Sequence, residues 1–83
     1  MEKLLIQLTV PSVKLEVDVF VPGDVEIATL TATMAAGVQD MTNGRFGVSG
    51  REMLILADPE LLLHPQSTLL DYGIQDGARL YLI

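Results

Sequence analysis

His64 is the only histidine in the chain and cysteine is absent, so acid–base, nucleophilic and metal chemistry have few residues to draw on. His64 stands before Pro65 in the polar stretch His-Pro-Gln-Ser, with no second His or Cys at ligand spacing, and reads as a solvated or locally hydrogen-bonded side chain. Asp58 and Glu60 flank Pro59, the ordinary composition of a reverse turn rather than of a carboxylate pair. Gly44, Gly47 and Gly50 recur every third residue, but no Gly-Lys-Ser/Thr follows and no long helix opens after them, so they do not build a phosphate loop. No catalytic residue, cofactor or metal ligand is expected. The lack of thiols also removes any disulfide framework and fits a reducing cytoplasm.

Charge and length narrow the partners. Eleven carboxylates against five basic residues leave a formal charge of -6, which repels phosphate backbones and anionic lipid heads. Nucleic acid is therefore not an expected partner. The opening MEKLLIQLTV is too short and too interrupted, by Gln7, for a signal peptide, and no apolar run approaches the roughly 20 residues of a spanning helix. Direct membrane insertion is not expected. With 83 residues, 49% hydrophobic and 19% charged, residues 1–83 read as a single domain whose elements all share one core.

Those elements follow from periodicity. Leu4, Ile6, Leu8 and Val10 alternate with mostly polar neighbours, and Val13, Leu15, Val17, Val19 and Val21 do so in the opposite phase after Pro11-Ser12. The two runs predict a hairpin with Val10 opposite Val13, Leu8 opposite Leu15, Ile6 opposite Val17 and Leu4 opposite Val19. Pro11 cannot take positive φ, so a longer connection is the alternative. Pro22-Gly23 breaks the strand and Asp24 is placed to cap a helix, with Glu26 near its positive end. Ile27, Leu30, Met34, Val38 and Met41 form its apolar stripe, and Asn43-Gly44 offers a left-handed stop. The segment Gly44 to Gly50 reads as loop, Met53 to Ala57 and Leu61 to Leu63 as strands, and Thr68 to Asp71 as a capping box over one helical turn. A last strand carries Leu80 and Leu82 on one face and Arg79 and Tyr81 on the other.

Hairpin, helix, strands, helical turn and final strand make an α+β domain with one amphipathic helix across a mixed sheet of four to five strands. That order is the ubiquitin-like β-grasp, and Thr68 to Ile74 resembles the stretch before the last strand of ubiquitin. More closely, LTVPSVKLEVDVFVPGDVEIATL and LLDYGIQDGARLYLI resemble the small YukD or EsaB ubiquitin-like proteins of type VII (WXG100) secretion systems. The resemblance implies a cytoplasmic accessory or regulatory protein, associated with a membrane secretion complex and acting by binding one of its components. Two alternatives stand beside it: a ubiquitin-like domain of a membrane transport complex subunit, and a modifier or sulfur carrier. The second needs a C-terminal glycine pair, whereas this sequence closes on Tyr81-Leu82-Ile83.

Function is expected on the sheet's outer face, where Leu5 and Phe20 interrupt otherwise polar sets. In the register above, Lys3 faces Phe20 and Leu5 faces Asp18, so Leu5 and Phe20 are diagonal neighbours. Tyr81 and Ile83 lie on the same side of the last strand, which a β-grasp pairs with the first. Leu5, Phe20, Tyr81 and Ile83 are the expected protein-binding residues, unless the Gly44 to Gly50 segment folds over them. A second copy of the chain, through the sheet face or edge, is a further candidate partner.

Overall fold

In a computed structural model, residues 3–83 are described; Met1 and Glu2, which open the MEKLLIQLTV stretch, lie outside the described residues. Strands β1 (Lys3–Val10), β2 (Leu15–Pro22), β3 (Leu54–Ala57), β4 (Glu60–Leu62) and β5 (Ala78–Leu82) form one sheet in the order β2-β1-β5-β3-β4. The central pair β1–β5 is parallel and the other neighbours are antiparallel. Helix α1 (Ile27–Met41) contributes the other half of the core. This is the β-grasp.

The hairpin register differs from the sequence expectation by two residues. Pro11–Val13 forms a single 3-10 turn closed by Lys14 in the left-handed region (φ 53°), so the connection is four residues long. Val10 therefore pairs with Leu15, Leu8 with Val17, Ile6 with Val19 and Leu4 with Val21. A slip of two preserves which face each side chain takes, so the same residues still point to the core. Leu4, Ile6, Leu8 and Val10 are buried, whereas Leu15, Val17 and Val19 are only partly so.

Helix α1 starts without the Asp24 cap. Glu26 is the N-cap residue and its side chain makes no capping bond. The amides of Ile27 and Ala28 instead donate to the carbonyls of Ser67 (2.8 Å) and Pro65 (2.9 Å), so the His64 to Ser67 loop satisfies the helix start. Ile27, Leu30, Met34 and Val38 are buried as their spacing requires, joined by Thr31 and Ala35. Met41 is not: it is 53% exposed, and the next residue, Thr42, turns inward instead. Thr42 Oγ1 donates to the Val38 carbonyl (2.8 Å) and accepts the Phe46 amide (3.1 Å). Asn43 and Gly44 both adopt positive φ, the expected stop.

The loop beyond has a structural role that glycine content hides. Phe46 enters the core, and the Val48 amide donates to Gln39 Oε1 on α1. The segment is tied to the helix rather than laid over the outer residues Leu5 and Phe20. Near the other end, Thr68 and Asp71 exchange the reciprocal capping-box bonds, the Asp71 amide to Thr68 Oγ1 and the Thr68 amide to Asp71 Oδ2. They hold the 3-10 turn Leu70–Tyr72 that delivers the chain to β5. Leu80 and Arg79 are adjacent on β5 but face opposite sides. Leu80→Ala is expected to cost about 2–5 kcal/mol and Arg79→Ala less than about 0.5 kcal/mol, measured as separate urea unfolding curves.

Candidate functional site

Strand pairing decides which outer side chains are neighbours. Leu5 lies directly opposite Phe20, correcting the diagonal arrangement that put Lys3 against Phe20 and Leu5 against Asp18. Phe20 is 70% exposed and Leu5 is partly covered. The next outer row runs Asp18, Gln7, Arg79 across β2, β1 and β5, and the row after it runs Glu16, Thr9, Tyr81. Tyr81 thus sits beside Thr9, four residues along β1 from Leu5, or about 13 Å at 3.3 Å per residue. The expected single patch is split in two by a polar row.

Tyr81 and Ile83 belong to a different cluster. Ile55 pairs with Tyr81 on one side and with Leu62 on the other, so three apolar side chains stand in line across β5, β3 and β4. Ile83 extends β5 by exchanging two backbone hydrogen bonds with Met53 (2.9 and 3.1 Å), which places Met53 and Ile83 next to that line. Leu62 is 56%, Ile83 49% and Met53 44% exposed, while Tyr81 and Ile55 are half-buried. The sequence singles out Tyr81 and Ile83 but not Met53, Ile55 or Leu62. In Met53-Leu54-Ile55-Leu56-Ala57 every residue is apolar, so no alternation marks the outward pair. Only the burial of Leu54, next to β5, reveals the parity.

Behind the β3–β4 edge an apolar groove of about 340 Å³ separates the first half of α1 from residues 48–54, with Met53 and Leu62 among its lining residues. Its rim includes Glu52, whose carboxylate accepts the Ser49 amide (2.6 Å), the Ser49 hydroxyl (2.8 Å) and the Gly50 amide (3.1 Å). The Ser49 amide, then the Ser49 hydroxyl, hold this exposed carboxyl below its usual pKa. It is the residue of the loop that turns the chain back towards β3. His64, in contrast, receives the Gln66 amide on Nδ1 and its own amide donates to the Tyr72 hydroxyl, a local loop arrangement.

The family described as the YukD protein of the WXG100 protein secretion system matches residues 5–82. The chain belongs to that family. Its fold is shared by the EccD5 ubiquitin-like domain of Mycobacterium xenopi, 20% identical with a TM-score of 0.80, over 100% of this chain and 94% of that one. The ubiquitin-like domain of the Mycobacterium tuberculosis type VII secretion protein EccD1 matches at 16% identity and a TM-score of 0.76, over 100% and 99%. A chain of the MycP5-free ESX-5 inner membrane complex contains a similar unit, 16% identical with a TM-score of 0.83, spanning all of this chain and 21% of that one. No curated protein matches by sequence. Among the described residues of this YukD-family chain, no helix is long and apolar enough to cross a membrane.

Two local expectations follow. Thr9 Oγ1 is screened from solvent, between Glu16 and Tyr81 in its row, and has no hydrogen-bond partner among the described residues. Thr9→Val, which replaces that hydroxyl by a methyl, is expected to stabilise the fold by up to about 1 kcal/mol, read as a higher urea midpoint at unchanged slope. The depressed Glu52 pKa stabilises its loop above the unfolded-state value, and that contribution disappears as pH falls through the lower folded value. Amide shifts of Ser49 and Gly50 are expected to titrate together below the usual carboxylate range, and Glu52→Gln to abolish the transition.

Proposed function

We propose that the outer-face cluster of Tyr81, Ile55 and Leu62, extended by Met53 and Ile83, docks a protein component of a type VII secretion machine. The observation that carries this reading is the alignment of three apolar side chains across three adjacent strands, with Leu62 more than half exposed. A folded chain does not need such a row on its solvent side, whereas an interface core does. Tyr81 suits the centre, since its ring buries well and its hydroxyl can still reach a partner.

In this reading the protein acts by binding rather than catalysis, in the cytoplasm beside a membrane secretion complex. Membership of the YukD family of the WXG100 secretion system supports the setting, and the similar unit within an ESX-5 inner membrane complex chain supports the kind of assembly. A charge of -6 disfavours phosphate-bearing surfaces as alternatives. Leu5 and Phe20 form a separate, smaller contact at the β1–β2 end of the same face.

The test is Tyr81→Ser combined with Leu62→Ser, both outside the core, expressed in the native host. Circular dichroism is expected to remain that of the parent, while cross-linked capture of a type VII secretion component, identified by mass spectrometry, falls at least about tenfold, consistent with the loss of two centrally placed contacts. Retention of that component by the folded double variant would remove the assignment.

A further inference from the structure

The sheet has two free edges, and they are unlike. β4 is three residues long and follows Pro59, two of the devices that keep an edge from recruiting another strand. Among the described residues β2, eight residues long, pairs only with β1, and it keeps an unbroken register from Lys3 opposite Pro22 to Val10 opposite Leu15. No bulge interrupts it.

The direction of its backbone groups can be deduced from β1. The Leu5 amide donates to Asp76 Oδ1 and the Leu5 carbonyl accepts the Gly77 amide, both at 2.8 Å, so Leu5 turns its backbone towards β5. Leu5 and Phe20 are then a non-hydrogen-bonded pair, as are Gln7 with Asp18 and Thr9 with Glu16, by the alternation of an antiparallel ladder. The amides and carbonyls of Glu16, Asp18 and Phe20 consequently point away from β1, into the open edge. Between them, Val17 and Val19 send their side chains to the helix side, where they remain only partly buried.

We propose that this edge receives an extended segment of another protein in which cationic residues alternate with apolar ones. An added strand takes up the free backbone groups of Glu16, Asp18 and Phe20. Its residues opposite Glu16 and Asp18 share the outer face with two carboxylates, so Lys or Arg fits there. Its intervening residues fall beside Val17 and Val19, so apolar side chains fit there and complete their burial.

A second copy of this chain fits poorly. Two-fold antiparallel pairing centred on Val17 sets Glu16 against Asp18 twice, and centring on Asp18 or Glu16 sets that carboxylate against itself. Moving the centre to Val19 or Phe20 brings Pro22, which has no amide proton, into the ladder. Each of these registers carries either like-charge opposition or a missing bond, so the charge pattern along Glu16 to Phe20 favours a partner of opposite sign.

The experiment uses the whole chain and a short capped peptide alternating lysine and valine, with a glutamate-for-lysine peptide as control, at low and moderate salt. Hydrogen exchange by NMR is expected to show new protection of the Glu16, Asp18 and Phe20 amides with the lysine peptide. Val17 and Val19, already bonded to β1, stay unchanged. Glu16→Lys with Asp18→Lys is expected to weaken binding at least about tenfold, and added salt to weaken it for the parent chain. The Tyr81→Ser, Leu62→Ser variant is expected to bind the peptide normally, which separates this edge from the outer-face cluster. The proposal is overturned by absence of binding, by equal binding of the glutamate peptide, by shifts centred on Tyr81 and Ile55, or by concentration-dependent protection of Glu16, Asp18 and Phe20 without peptide.

Discussion

The parallel pairing of β1 with β5 is the contact on which the rest of the molecule depends. It joins residues 71 positions apart at Leu5 and Asp76, and everything from the first hairpin turn to the last turn is the connection that makes this pairing sterically accessible. Closing so long a loop costs entropy that no single bond repays. The compensation is burial: Ile6, Leu8, Leu80 and Leu82 occupy the centre of the sheet and are almost fully excluded from water. Asp76 fixes the phase, because its carboxylate and the following amide engage the two backbone groups of Leu5. The same phase sets Thr9 beside Tyr81 and Gln7 beside Arg79, so the composition of the outer face is a by-product of how the core closes.

Helix α1 depends on that closure in turn. Thr29, Thr31 and Thr33 and an internal Gly37 make it a weak helix in isolation, and its first amides find acceptors in the loop that precedes β5. Its far end is secured by Thr42 and by Phe46, which the glycine-punctuated segment carries back into the core. The helix covers one face of the sheet; its start is satisfied by residues distant in sequence and its far end by residues that follow it directly. The opposite face and the β2 edge take no part in this; they carry the docking proposed above.

Much of the fold was legible in the amino-acid order because period and punctuation agree. The alternation of Leu4 to Val10 and of Leu15 to Val21, the stripe from Ile27 to Val38 and the Thr68 to Asp71 capping pair each depend on residues close in sequence. Details that depend on distant partners were not. The two-residue shift in the hairpin came from the conformation of Pro11 to Lys14, and Asp24 lost the helix cap to backbone carbonyls of the His64 to Ser67 loop. Of the residues proposed for binding, Leu5 and Phe20 were recognisable as apolar intruders among polar neighbours. Met53, Ile55 and Leu62 were not, because a wholly apolar run carries no mark of which side will face water.

By itself, then, the sequence determined the type of each element, the face that each amphipathic strand buries and the poverty of residues suited to acid–base or metal chemistry. These are properties of side-chain type and local spacing, which act before any long-range contact forms. The tertiary structure alone decided that Leu5 and Phe20 stand opposite each other and apart from Tyr81, and that Tyr81 joins Ile55 and Leu62. Neighbour relations across a sheet are set by register and strand order, and both are fixed only when the two ends of the chain pair at its centre.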